Sequence, residues 1–186
     1  KDGTSFTYRG ISTANGATSG TTTPTTASTT FYTSYSRTVT AKVYVYNNSS
    51  SNKTATAYMS YNGTVSNASV ALGTTSSITI SNISYAPRHW STSTAANASS
   101  SVALNGSANI WKDTTYYASY SAAITGTFNY WNGTAAASTT ASATRYVNYT
   151  GTVAESNYAI PDVAKADRAK DGTSFTYRGI STANGA

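Results

Sequence analysis

The sequence predicts an all-β fold: an elongated β-sandwich with a short helical connector and a terminal strand shared with, or donated to, another copy. Three observations predict it. Tyrosine occurs 16 times, alongside many threonines and valines, residue types that suit a pleated, half-buried surface. Apolar residues recur at every second position in several stretches, the period of a strand with one face buried. The first seventeen residues, KDGTSFTYRGISTANGA from Lys1 to Ala17, also recur without change from Lys170 to Ala186.

An identity of that length is not chance. It predicts a periodic chain whose repeat starts lie 169 residues apart, or one segment copied to the other end. Either arrangement makes a unit that joins copies of itself, a structural protein rather than a catalyst.

Composition removes several classes. Charged residues make up 10% of the chain, against about 25% in ordinary soluble domains. Ser and Thr supply 64 of the 186 residues, so hydroxyls keep the surface wet. Low charge with abundant aromatic and β-branched residues argues against disorder. The net charge of +6 contains no run of three cations, unlike the clustered basic face of a nucleic-acid binder, and no nucleic-acid partner is expected. With no cysteine there is no disulfide or thiolate metal site. No apolar run reaches the roughly 18 residues of a membrane span.

The first element, Thr4 to Thr13, alternates: Phe6 and Tyr8 share one face, Ser5, Thr7 and Arg9 the other. Residues 18–30, with no large apolar side chain, read as a linker. The clearest strand is Thr38 to Tyr46, with Val39, Ala41, Val43 and Val45 inward and Thr40, Lys42, Tyr44 and Tyr46 outward. Asn47 to Asn52 makes a turn, and Thr54 to Tyr61 returns. Asn62-Gly63 is a hairpin signal, since both residues tolerate positive φ. Val65 to Leu72 and Ser77 to Ile83 follow, and turn signals every 8–12 residues suggest a sandwich. Pro87, Arg88, His89 and Trp90 interrupt the pattern like a crossing loop. Further strands are expected at Ser101 to Leu104, Ser107 to Trp111, Tyr116 to Tyr120, Ala122 to Trp131 and Ala141 to Val153. Thr134 to Ser142 reads in part as a flexible connection. In Ile160 to Lys170, Pro161 and Asp162 suit a helix start and the later cations suit its end. The expected organisation is a linking strand 1–17, a linker 18–30, a sandwich body 31–158, a helical connector 159–169 and a second linking strand 170–186.

The stretch TVTAKVYVYNNSSSNKTATAYMSYNGTVSNASVALGTTSSITISNIS resembles the immunoglobulin-like tandem-repeat modules of microbial extracellular surface fibres and adhesins, in its order of valine-rich strand, Asn/Ser turn, second strand, Asn-Gly, short strand and closing β strand. The resemblance covers about a quarter of the chain and carries over no functional residue. It implies an immunoglobulin-like sandwich and a secreted or cell-surface role.

The repeated segment is expected to act by strand addition, which satisfies an open sheet edge and fills pockets at alternate positions. The copy at 170–186 would complete this body and the copy at 1–17 the preceding one. Phe6, Tyr8, Ile11, Phe175, Tyr177 and Ile180 are the candidate plugs, and burying one set would contribute on the order of 5 kcal/mol. Such a head-to-tail contact does not close, so copies of the chain are the expected partners, in an open polymer.

Catalytic material is sparse. His89 is the sole histidine, Glu155 the sole glutamate, and Asp113 the other acid of the expected sheets. No catalytic, metal or cofactor site is expected. Asp113 or Glu155 with Lys42 is a candidate isopeptide pair. Ten of 15 asparagines begin Asn-x-Ser/Thr: Asn47, Asn48, Asn52, Asn62, Asn67, Asn82, Asn97, Asn105, Asn132 and Asn148 are candidate N-glycosylation sites of an exported protein. Trp90, Trp111 and Trp131, with the outward tyrosines Tyr44, Tyr46, Tyr58 and Tyr146, are candidate glycan contacts, so surface glycans are a second candidate partner.

Overall fold

The computed structural model describes residues 1–15 and 29–182. Among them the chain is all-β with one α-helical turn. The expected linker 18–30, apart from Thr29 and Thr30, and the ends of both copies, 16–17 and 183–186, lie outside the described residues. Two compact units form: Lys1–Ser121 with Tyr146–Val153, and Ala122–Arg145 with Ala154–Ala186. No helix among the described residues is long and apolar enough to cross a membrane.

The first unit is built on β2 (Tyr32–Val45), whose alternation places Val39, Ala41 and Val43 in the core at 0–3% exposure. The next strand, β3 (Ser49–Ser60), pairs antiparallel with β2 from Ser60 opposite Ser34 to Ser49 opposite Val45. That ladder fills one edge of β2. The other edge is shared by β1 (Thr7–Ser12), antiparallel to Tyr32–Ser36, and by β10 (Thr114–Trp131), parallel to residues 41–44. A separate two-stranded ladder joins β5 (Ala68–Ala71) to β9 (Ser107–Ile110), with Ala68, Val70, Ala108 and Ile110 buried. Short strands β4 (Val65–Ser66), β6 (Ile78–Ile80) and β8 (Val102–Ala103) pair with β3, with β7 (Ile83–Ser91) and again with β7.

The second unit takes the outer parts of β10 and of β11 (Ala136–Asn148), joined by a turn in which Asn132 Oδ1 accepts from the N–H groups of Thr134 and Ala135. In the outer part of β10, Phe128 is buried and Ile124 and Tyr130 are half-buried on the same face. Arg145 of β11 clasps Glu155 through both carboxylate oxygens at 2.6 and 2.7 Å. Beyond β12 (Val153–Ala154) the chain makes α1 (Asp162–Lys165) and a hairpin of β13 (Arg168–Lys170) with β14 (Thr173–Phe175).

Four expectations need correction. Pro87 to Trp90 lie in β7, not in a loop; Pro87 is tolerated because the β7–β10 register shifts at Ser119/Tyr120, opposite it. Tyr116–Tyr120 and Ala122–Trp131 are one strand. Thr134 to Ser142 is mostly β11, a run of small residues held by pairing with β10 rather than by an apolar stripe of its own. The helical connector shrinks to one turn: Ala166 is already extended (φ −73°, ψ 142°), and a helix this short has little stability of its own.

Candidate strand-docking site

The first copy is seated on its own chain. Its strand β1 runs along the edge of β2, with Tyr8 opposite Tyr35 and Ile11 opposite Thr33. The register shifts between Tyr8 and Gly10, and Gly10 has φ 145°, a conformation open to glycine and strained for any side chain. Phe6 stacks on Trp111 at 6.4 Å between ring centroids, Tyr8 meets Tyr35 edge-on at 6.0 Å, and Arg9 lies 4.9 Å above the Tyr58 ring. Phe6 and Ile11 are half-buried, while Tyr8 is 57% exposed. The docking contribution is therefore about 2–3 kcal/mol, half the value expected from three buried plugs.

The second copy repeats backbone angles of the first but not its secondary structure: its strand is Thr173–Phe175, whereas the first copy's is Thr7–Ser12. Asp171 has φ 50° where Asp2 has 47°, and Gly179 has φ 138° where Gly10 has 145°. Here the Asp-Gly turn closes the β13–β14 hairpin, with Arg168 opposite Phe175. The hairpin is moored: Arg168 Nε donates to Trp131 O at 2.8 Å, its Nη2 to Val163 O at 2.6 Å, and Trp131 Nε1 to Ala169 O at 3.3 Å. The Tyr177 N–H donates to Asp167 Oδ1 at 2.8 Å. Phe175 and Ile180 are each 58% exposed. Contrary to expectation, it is the copy at 1–17 that ladders onto the β2 edge, whereas the copy at 170–186 ladders only within its own hairpin among the described residues.

Beside the second copy lies a groove of about 1020 Å³, floored by Gly126 to Trp131 of β10 and flanked by Tyr158, Phe175 and Ile180. Gly126 is what lets Tyr158 in: a Cβ there would sit 2.5 Å from the Tyr158 ring, which also meets Phe128 edge-on at 5.9 Å. Sequence reading passed over this groove. Its signal is the glycine in Ile124-Thr125-Gly126-Thr127-Phe128, a missing side chain on the inward row of a strand.

Most of the remaining candidates are engaged in other contacts. Trp90 is 1% exposed with Nε1 bonded to Gly73 O, so it is a core residue and no glycan contact. Trp111 is covered by Phe6 and by Lys112, whose Nζ lies 4.4 Å from the ring centroid, and Lys170 lies over Trp131. The outward tyrosines are partly claimed: Arg88 covers Tyr146, and Tyr44 joins Tyr117 and Tyr149 in a cluster with centroids 4.6–5.6 Å apart. Asp113 and Lys42 line one small hollow, but Asp113 holds Arg37 at 2.7 Å and the Thr40 N–H at 2.9 Å, Lys42 lies over the Tyr44 ring, and Glu155 is bound by Arg145, so neither carboxylate is paired with the lysine. Nine of the ten sequon asparagines are exposed. Asn148 is half-buried: its Nδ2 donates to Thr94 O, and its Oδ1 accepts from Thr150 and Thr152 N–H groups. His89 is buried and bonded through Nε2 to Ala98 O at 3.0 Å. Burial, then the neighbouring Arg88 charge, hold its pKa below the ordinary value against that bond. No protein-family model, curated protein or solved structure matches the chain.

Proposed function

We infer that the chain is a structural repeat or subunit of an extracellular filament or surface fibre, joined head-to-tail by β-strand complementation. The observation that carries this reading is the pair of identical segments in unlike states. One is laddered on a sheet edge, and the other lies in a hairpin of its own with Phe175 and Ile180 exposed. A surface that receives this segment within one chain offers the same contacts to the segment of another chain, so units that exchange it link without closing a ring. An immunoglobulin-like sandwich is the architecture proposed for the body, supported by the separate β5–β9 ladder with its buried face. Exposed sequons support an exported, glycosylated chain.

The test uses the full chain with plugs replaced in both copies, F6D/I11D and F175D/I180D together. Light scattering and electron microscopy should find concentration-dependent linear assemblies for the parent and monomers for the variant. Assemblies of equal length from both would sink the reading. A carbohydrate-binding adhesin is the second reading, and the Tyr44–Tyr117–Tyr149 cluster, rather than the tryptophans, favours it; glycan-array binding lost in Tyr149→Ala would support it.

A further inference from the structure

The β7 ladder on β10 ends at Ser121 opposite Ala86. From Ala122 to Trp131, β11 is the only strand beside β10 among the described residues, so one edge of that stretch is unpaired. An unpaired edge is a template for another strand. The groove lies along this stretch, lined by Tyr158 and by Tyr130 and Trp131, whose rings Arg168 and Lys170 partly cover.

We propose that this edge and groove receive the segment Phe6–Ser12 of a second copy of the chain as an added strand, an inference that rests on the strand-complementation reading above. Three observations select that occupant. First, the groove is already bordered by the same sequence, since Phe175, Tyr177 and Ile180 of the second copy line it. Those side chains are therefore sterically and chemically compatible with its surface. Second, the second copy of the same molecule is committed elsewhere. Thr173–Phe175 ladder with Arg168–Lys170, the Tyr177 N–H is held by Asp167, and the hairpin is tied to Trp131 through Arg168. It borders the groove without laddering onto β10. Third, the first copy is only partly covered on β2, with Tyr8 57% exposed and Phe6 and Ile11 half-buried. Its ladder on β2 is short and broken by the register shift between Tyr8 and Gly10. An incoming strand exchanges that ladder for one on β10 and brings Phe6 and Ile11 into the groove beside Phe128 and Tyr158.

Amide hydrogen exchange on the intact chain tests this, with a synthetic peptide of the sequence Lys1–Ala17 as probe. Exchange across Ala122–Trp131 should slow about tenfold or more at saturating peptide. A control peptide carrying F6D and I11D should change nothing there. If instead the peptide deprotects Thr7–Ser12 by replacing it on β2 and leaves Ala122–Trp131 unaltered, the groove assignment is overturned and strand complementation survives. Equal protection of Ala122–Trp131 by the control peptide also overturns the assignment, because the plugs would then play no part. No change at either place removes both.

Discussion

Single side chains decide how firmly each part is held, and three substitutions expose this. Gly126 leaves room for the Tyr158 ring, so Gly126→Ala must push that ring aside. A loss of about 1–3 kcal/mol in the second unit is expected, read by denaturant unfolding. Ser34, opposite Gly10 in the β1–β2 ladder, is 4% exposed, and its Oγ has no hydrogen-bond partner. Ser34→Ala removes a buried polar atom and should be neutral or stabilising by up to about 1 kcal/mol. His89 gives a pH signature. Its folded pKa lies below the ordinary 6.5, so the unfolded chain binds the proton more readily. Its contribution is complete above pH 6.5 and is lost as pH falls through the folded value. The melting temperature should therefore drop on acidification below 6.5. His89→Gln, which keeps an N–H donor for Ala98 O without titrating, should flatten that drop.

At the scale of the element, identical sequence takes two structures because partners differ. Gly10 and Gly179 share the same unusual φ, but only Gly10 sits in a ladder with β2. Gly10→Val should therefore release β1, raising exchange at Thr7–Ser12 and costing about 1–3 kcal/mol. Gly179→Val should leave the first unit unchanged. The central strands were legible because their period is two and their inward residues are Val and Ala: Val39, Ala41 and Val43 are buried as the alternation requires. The β11 strand was not, since Ala136–Asn148 opens on alanine, serine and threonine, a composition shared by linkers. What makes it a strand is its neighbour, which no local pattern records. The candidate site was half legible for the same reason. The repeat is plain in the sequence, but the surface that the first copy meets at Tyr35 and Trp111 is assembled from residues distant in sequence.

At the scale of the whole molecule, each unit carries its own copy of the linking segment. The first unit is completed at β2 by residues 7–12, so deletion of 170–186 should leave its unfolding midpoint unchanged. The same deletion uncovers the Tyr130 and Trp131 end of the groove and should lengthen assemblies rather than abolish them. The measurement closest to the central claim is cross-linking of an equal mixture of ¹⁴N and ¹⁵N chains after assembly, read by mass spectrometry. The account predicts mixed-isotope links that join Lys1 of one molecule to Lys165 or Lys170 of another. If every link from Lys1 stays within a single isotope while assemblies are present, the units are held together by something other than the repeated segment.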